Sequence, residues 1–102
     1  MSNDKKLLSL LGLCQRAGQL VTGEELVLAA IRKQDLSMVI LAGDASSNTE
    51  KKIKDKCGYY KIPVYQTSDR FALGQAIGKE TRVAIGIRSE GFAKKIAALL
   101  SQ

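Results

Sequence analysis

The sequence predicts an α/β fold, a three-layer α/β/α sandwich in which a four-stranded sheet carries helices on both faces. Three observations support this prediction. Short apolar runs alternate strictly with helical patterns of about 10 to 15 residues, in the order αβαβαβαβα. With 102 residues, 45% of them hydrophobic, the chain has enough apolar material for one core, and we expect one domain over residues 1–102. The first apolar run is very short, which favours a mixed sheet over an all-parallel one.

The first helix is predicted over residues 4–17, where apolar side chains recur at helical spacing, and Gly18 ends it. A short strand follows at residues 20–21. The second helix begins with Thr22-Gly23-Glu24-Glu25, which has the form of a capping box, and runs to about Gln34. Its core-facing side chains are expected to be those of Leu26, Ala30 and Ile31.

The central strand is predicted at residues 38–42, because a continuous apolar run bounded by polar residues is typical of a strand covered on both faces. A second capping box, Ser47-Asn48-Thr49-Glu50, opens the third helix. This helix is expected to be half exposed, since only a narrow apolar stripe lies among its lysines; the stripe consists of Ile53, Cys57 and Tyr60.

The third strand is predicted at residues 62–65, with its proline at the start or on an edge. Ser68 is expected to cap a fourth helix that packs Phe71, Leu73 and Ile77. Gly74 within that helix indicates the close approach of another element. The fourth strand is predicted at residues 82–87, and Ser89 is expected to begin a last helix that buries Phe92, Ile96, Leu99 and Leu100.

The charge of the chain is uneven. The formal net charge is +6. Residues 1–51 carry six basic and six acidic side chains, whereas residues 52–102 carry ten basic and four acidic ones. A basic half of this kind indicates a partner with a phosphate backbone, since each neutralised phosphate releases counterions. A basic surface kept for solubility explains the charge equally well.

Several classes of chemistry are excluded or disfavoured. The chain has no histidine, so Ser-His-Asp, Cys-His and HExxH sites are excluded. Cys14 and Cys57 lie far apart without CxxC spacing, and we expect two small buried hydrophobes instead of a zinc or redox site. Apolar runs fall far short of the roughly 18 to 20 residues that span a bilayer, and residues 1–6 lead into no signal peptide. We expect a cytoplasmic protein without metal, cofactor or membrane partner.

Three segments stand where strands and helices meet, which is where ligands gather in open α/β sheets. They are residues 22–25, 43–48 and 78–82, and none matches a GxxxxGK[ST] or GxGxxG nucleotide motif. The first segment fits an ordinary helix cap, although Gly23 would let a base or sugar edge come close. Lys79 and Arg82 could bracket a phosphate, but an ion pair with Glu80 explains them nearly as well.

Two further sets of residues are given structural roles. The lysines of the third helix are more typical of a solvated helix face than of a binding stripe; they are Lys51, Lys52, Lys54 and Lys56. The tyrosines are expected in or next to core-facing positions, which disfavours base stacking through them; they are Tyr59, Tyr60 and Tyr65.

Several stretches carry a family resemblance over nearly the whole chain: AGQLVTGEE at residues 17–25, VILAGDASSNT at 39–49, DKC at 55–57, YKIPV at 60–64 and LGQAIGK at 73–79. With these stretches in this order, the chain resembles the bacterial YlxQ-type proteins, of the superfamily of small ribosomal proteins that recognise kink-turn RNA. The resemblance implies an α/β/α sandwich without enzymatic activity. It also implies an RNA-binding surface built from the start of the second helix and the loop before the last strand.

The resemblance also implies the site residues. Gly23 matches the glycine that opens the RNA-contacting turn of the family, and residues 78–83 match the segment that covers the extruded nucleotide. An ungapped register places Glu25, Leu26 and Ala29 where kink-turn binders usually carry asparagine, glutamate and lysine. We therefore expect shape and phosphate contacts to outweigh base readout. The implied RNA-binding residues are Thr22, Gly23, Glu24, Glu25, Lys79, Thr81, Arg82 and Val83.

The leading hypothesis is a monomeric, ribosomal-protein-like RNA-binding protein without a small-molecule substrate, whose partner is structured RNA of the kink-turn or ribosomal type. Two other hypotheses stay open. A protein-interaction module would dock a partner through the second helix, where Glu24 and Glu25 repel nucleic acid. An enzyme would use Asp44 with Ser46 or Ser47, although a capping role explains these residues better.

Overall fold

The computed structural model describes the backbone of residues 2–101 and the side chains of residues 4–101. Met1 and Gln102 lie outside the described residues. Met1 belongs to the N-terminal segment in which the sequence predicts no signal peptide. Within them, five helices alternate with four strands, as the sequence predicts. The elements are α1 Ser2–Arg16, β1 Leu20–Thr22, α2 Glu24–Arg32, β2 Met38–Leu41, α3 Ser47–Tyr60, β3 Val64–Gln66, α4 Arg70–Ala76, β4 Ala84–Ile87 and α5 Glu90–Leu100.

The four strands form one mixed sheet in the order β1-β4-β2-β3. β4 is antiparallel to both of its neighbours, and β2 and β3 are parallel. The predicted mixed sheet is therefore confirmed. Its two central strands, β2 and β4, are buried along their whole length, as the continuous apolar runs predict.

The core consists of two apolar clusters, one on each face of the sheet. Successive side chains of a strand point to opposite faces, so Met38 and Ile40 join one cluster while Val39 and Leu41 join the other. Helices α1, α4 and α5 cover the first cluster, and α2 and α3 cover the second. This arrangement is the predicted α/β/α sandwich. Cys14 and Cys57 are buried free thiols, one in each cluster, as expected.

Both predicted capping boxes are wrong in detail. Thr22 is the last residue of β1, paired with Ile85, and the helix cap is Gly23 without a side-chain hydrogen bond. Strand pairing therefore overrides the local capping pattern. The second box is displaced by one residue, because the Ser46 hydroxyl accepts the Thr49 N–H at 3.1 Å. Glu50 accepts a hydrogen bond from Lys54 instead, and this contact lowers the pKa of the Glu50 carboxyl.

Of the predicted end signals of the other helices, two are confirmed and one is wrong. Gly18, with φ +70°, ends α1 and Ser89 caps α5, as predicted. Ser68 does not cap α4. Its backbone adopts a left-handed φ of 60°, and the extended Asp69 accepts the N–H groups of the two residues that follow the helix start, at 2.9 Å each. The Asp69 carboxylate reaches both of these N–H groups, and Asp69 therefore caps the helix in place of the adjacent Ser68.

Three side chains that the sequence assigns to the core or its border are exposed. Leu26 is 65% exposed because the buried side of α2 is turned by one residue and carries Val27, Ala30 and Ile31. Phe71 is 65% exposed because the short helix α4 buries only Leu73 and Gly74. Tyr59 is 77% exposed and rests edge-on against Tyr60, with ring centroids 4.8 Å apart.

Within residues 2–101, no helix has both the length and the apolar character needed to cross a membrane.

Candidate functional site

The sheet topology brings two of the predicted segments to one edge. β1 ends at Thr22, opposite Ile85, near the start of the antiparallel β4. The chain that leaves β1 and the chain that enters β4 therefore meet at the same end of the sheet. We call these two segments, residues 22–25 and 79–83, the rim.

The first half of the rim is a turn that depends on Gly23. Its φ of 97° and ψ of 145° lie where residues with a side chain rarely occur. The Gly23 N–H donates to the Ala84 carbonyl at 3.1 Å, and its carbonyl accepts the first helical hydrogen bond, from Val27 at 2.9 Å. Apart from Gly23 itself and its two chain neighbours, no described residue has an atom within 4 Å of where a Cβ would stand. The turn therefore presents bare backbone to open space.

The second half of the rim is a loop held against α4 by close backbone contact. A Cβ on Gly74 would lie 2.7 Å from the Thr81 Cα, so this position accepts only glycine. The Lys79 N–H donates to the Gly74 carbonyl at 2.8 Å, and the Arg82 N–H donates to the Arg70 carbonyl at 3.0 Å. The close approach predicted from Gly74 is confirmed, and it fixes the path of the loop.

The Arg82 side chain joins the two halves of the rim. Its Nε donates to the Thr22 hydroxyl at 3.2 Å, and its Nη1 donates to the Thr81 carbonyl at 2.6 Å. Val83 lies beside it, half-buried against both apolar clusters, and its carbonyl accepts the Ala42 N–H at 2.8 Å. The guanidinium is therefore held in place over the β1–α2 turn by contacts on both sides.

The two acidic residues in the first half of the rim, Glu24 and Glu25, differ. The Glu24 carboxylate accepts the Thr49 hydroxyl at 2.9 Å and pairs with the Lys52 ammonium at 3.4 Å, so its charge is directed toward α3 and offset there. Glu25 is exposed, and no described residue pairs with it. Of these two carboxylates, only that of Glu25 remains to repel an anion, and Glu80, in the second half of the rim, is a further exposed carboxylate.

The other charged residues at and near the rim are partly free and partly paired. Among the described residues, neither Lys79 nor Glu80 takes part in an ion pair, so the salt-bridge explanation of Lys79 is not what the structure has. Asp44 accepts the Arg70 N–H at 3.0 Å and its Nε at 3.2 Å, which anchors the start of α4. Ser46 is a helix cap. Asp44 and Ser46 therefore have structural roles, while Ser47, the other serine of the enzyme hypothesis, is exposed at the first position of α3.

A groove beside the rim contains residues that the sequence did not single out. It has a volume of about 410 Å³ and runs along β1 and α2; its lining includes Thr22, Leu26, Ala29, Lys33, Lys79 and Arg88. Lys33 lies seven residues after Leu26, and so on the same side of α2. This spacing would have revealed Lys33, had Leu26 been recognised as an exposed position. Arg88 is paired with Asp35 at 2.8 Å.

The described residues also bear on metal and thiol chemistry. Among them, no three histidine, cysteine, aspartate or glutamate side chains come together as ligands would. Burial raises the pKa of the Cys14 and Cys57 thiols to about 11. Both therefore stay protonated near neutral pH and are poor nucleophiles.

Comparison with known proteins gives consistent sequence matches. The model of the ribosomal protein L7Ae/L30e/S12e/Gadd45 family matches residues 5–97. The RNA-binding protein YlxQ of Bacillus subtilis (strain 168) is 50% identical over 91 residues, which make up 89% of this chain and 91% of that protein. The protein of the same name from Enterococcus faecium is 46% identical over 98 residues, or 96% of this chain and 94% of that protein.

Two solved structures share the fold. A protein of unknown function from Bacillus halodurans C is 52% identical, with a TM-score of 0.92 over 95% of this chain and 98% of that chain. The Giardia lamblia 15.5kD RNA binding protein has a TM-score of 0.80 over 99% of this chain and 87% of that chain. At 18% identity, the second structure supports the fold alone. The resemblance inferred from the sequence is confirmed by these matches.

Proposed function

Since this chain belongs to the ribosomal protein L7Ae/L30e/S12e/Gadd45 family, we propose that it is a non-enzymatic protein whose single domain binds structured RNA at the rim. The names of the two YlxQ relatives support RNA as the partner. The proposed target is an RNA with a kink-turn or a comparable fold, such as a segment of ribosomal RNA. The proposed form is a cytoplasmic monomer that needs no cofactor and no small-molecule substrate.

The observation that carries this proposal is the position of Arg82. Its guanidinium is held between Thr22 and Thr81, so a cation stands ready beside the bare backbone of Gly23. A fixed guanidinium loses little side-chain freedom on binding and can donate to two phosphate oxygens at once. An RNA backbone at Arg82 would bring a sugar or an unpaired base against Gly23, where no side chain stands in the way.

The side chains along α2 favour recognition of RNA shape over recognition of bases. Glu25 cannot donate a hydrogen bond to a guanine edge when it is ionised, and Leu26 and Ala29 offer no polar atoms beyond the backbone. Lys33, one turn beyond Ala29 on the same side of α2, supplies a cation near that position. We therefore expect phosphate and sugar contacts to dominate, with a moderate preference for kinked RNA over a straight duplex.

A salt titration tests this proposal. A fluorescent kink-turn RNA and a straight duplex of equal length are titrated with the protein at several salt concentrations. If about four to six phosphates are contacted, the logarithm of the affinity should fall with the logarithm of salt by about 0.7 to 0.9 per phosphate. An affinity that does not respond to salt would contradict the proposal.

Arg82→Ala locates the contact, and Lys94→Ala is its charge-matched control. Lys94 lies on α5 in a separate groove with Pro63 and Glu90. Arg82→Ala should weaken RNA binding and reduce the salt slope by about one phosphate, whereas Lys94→Ala should change both much less. Equal effects of the two variants would mean that RNA affinity depends only on the net charge of the protein and that the rim is not the site.

The protein-interaction hypothesis is separated by ribonuclease. Partners that the immobilised full chain retains through the rim should be lost after RNA digestion if RNA is the direct ligand. Partners that persist when digestion is complete, and that Arg82→Ala releases, would favour direct protein contact at the rim.

A further inference from the structure

A second surface, away from the rim, has a different composition. Helices α1 and α5 border a groove of about 740 Å³, which we call the α1–α5 groove; it is lined by Lys5, Lys6, Ser9, Leu10, Lys95, Ala98 and Leu99. Its floor is apolar, and three lysines stand around it. Neither the arrangement of the rim nor the proposed RNA contact uses any of these residues.

The ammonium groups of the groove lysines are not neutralised by neighbouring carboxylates among the described residues. Among the described residues, none of Lys5, Lys6 and Lys95 takes part in an ion pair. All three are exposed. The acidic residues on the two helices are Asp4, at the start of α1, and Glu90, at the start of α5. The groove therefore offers a ring of positive charge to whatever covers its apolar floor.

The apolar surface continues beyond the groove along α1. Leu13 is 49% exposed, and it lies seven residues after Lys6 on the same side of the helix. The stretch from Lys6 to Leu13 measures about 10 Å, or two helical turns. This length matches the apolar side of a short helix that presents residues at positions i, i+4 and i+7.

We propose that the α1–α5 groove docks an acidic amphipathic helix of a partner protein. The apolar side of the partner helix would cover Leu10, Ala98 and Leu99, and its glutamate or aspartate side chains would pair with the surrounding lysines. An RNA strand fits this surface less well, because a charged, polar backbone gains nothing from an apolar floor. The charge and the apolar floor together select the peptide.

Three synthetic peptides test the two halves of this recognition. The first is an acetylated and amidated helix of about 15 residues, with leucines at i, i+4 and i+7 flanked by glutamates. In the second peptide the glutamates are replaced by lysines, and in the third the leucines are replaced by serines. Each is titrated into the isotope-labelled full chain, and the amide shifts are followed by NMR. A short single-stranded RNA is titrated in parallel.

Variants of two neighbouring lysines supply a matched control. Lys95 lines the groove, whereas Lys94, next to it on α5, lies in a separate groove. Lys95→Glu should weaken binding of the acidic peptide about threefold to fivefold, while Lys94→Glu should weaken it much less. Ala98→Arg adds a positive charge, so a loss of affinity in this variant must come from blocking the floor. Ala98 is exposed, and the variant is therefore expected to fold.

Specific outcomes decide the proposal. It is supported if the first peptide shifts amides of α1 and α5, the other two peptides bind at least about tenfold more weakly, and Ala98→Arg removes binding. It is overturned if Lys94→Glu and Lys95→Glu have equal effects, if the serine peptide binds as well as the leucine peptide, or if only the RNA shifts these amides. The RNA affinity of the rim should not depend on Ala98→Arg, which keeps this test separate from that of the proposed function.

Discussion

The rim and the α1–α5 groove both present cations, yet they are built in different ways. At the rim, hydrogen bonds hold the key groups: Arg82 is fixed to Thr22 and Thr81, and Glu24 is fixed to α3. In the groove, exposed lysines without ion pairs among the described residues surround an apolar floor. A fixed cation beside bare backbone suits an RNA backbone, whereas mobile cations around apolar side chains suit an amphipathic peptide. The sign of the charge alone therefore does not identify the partner of a surface.

The largest effect is expected from breaking the support of the rim. In Gly74→Ala, the new Cβ would meet the Thr81 Cα at 2.7 Å, so loop and helix must move apart. We expect the free energy of unfolding to fall by about 3 kcal/mol, as in other overpacked sites. Thermal unfolding followed by circular dichroism should show a Tm lower by about 12 °C or more.

Gly58→Ala is the control for this change. Gly58 lies within α3, and no described atom stands within 4 Å of its Cβ position. Alanine should therefore raise stability by about 0.5 kcal/mol. If the two alanine variants had the same Tm, the close packing of the loop on α4 would be refuted.

A smaller effect, on both stability and binding, is expected from Gly23→Ala. The positive φ makes alanine cost about 2 kcal/mol, and the added methyl group would obstruct an approaching RNA. Gly18→Ala is matched to it, because Gly18 also has a positive φ and open space around it but lies outside the rim. Unfolding curves and RNA titrations should show that Gly18→Ala loses stability only. Equal RNA affinities of the two folded variants would contradict the role of Gly23.

High pH should lower the stability of the whole fold, and with it that of both the rim and the groove. Cys14 lies on the buried side of α1 and Cys57 on the buried side of α3, and burial raises the pKa of each thiol from 9.0 to about 11. The folded thiols hold their protons more tightly than the unfolded ones, so their contribution to stability is constant well below pH 9 and is lost as the pH rises toward 11. The loss should be about 1 kcal/mol for each thiol at pH 10.

Denaturant titrations between pH 7 and pH 10.5 measure this dependence. Cys14→Ala and Cys57→Ala are less stable at neutral pH, but each should remove about half of the pH dependence. A dependence that is unchanged when both cysteines are replaced would show that other groups cause it.

The smallest effect is expected from Glu25, one of the two exposed carboxylates of the rim. Glu25→Asn removes a negative charge that no described residue offsets, so RNA affinity should rise about twofold to threefold at low salt. The asparagine can donate as well as accept, and preference for a kink-turn over a straight duplex should increase. Glu24→Gln is the contrast, because the charge of Glu24 is already offset by Lys52. A larger gain from Glu24→Gln than from Glu25→Asn would show that the charges of the rim are misassigned.

The sequence predicts the framework of this molecule well because burial leaves a regular pattern. The apolar runs of β2 and β4 and the helical spacing of Leu7, Leu11 and Cys14 all correspond to buried positions. The mixed sheet and the close approach at Gly74 were also predictable. Each depends on a single strong local signal, namely a very short strand or a glycine within a helix.

The details of the rim were less predictable because tertiary contacts decide them. Thr22 has the right spacing for a capping residue, but its backbone pairs with Ile85 and its hydroxyl accepts a hydrogen bond from Arg82. Nothing local distinguishes Glu24 from Glu25, although only Glu24 meets α3. Leu26 and Lys33 line the same groove, but only the rotation of α2 on the sheet shows that this side of the helix is exposed. Whether the eight implied residues contact RNA stays a prediction.

The central claim, that RNA lies on the rim, is tested most directly by amide shift mapping of the full chain with a kink-turn RNA at low salt. We predict that the largest shifts fall on Gly23, Glu25 and the loop at residues 79–83, that Lys33 follows, and that α1 and α5 are unaffected. The shifts should shrink together when salt is raised. Shifts confined to α1 and α5, with the amides of Gly23 and Arg82 unmoved at saturation, would contradict the account.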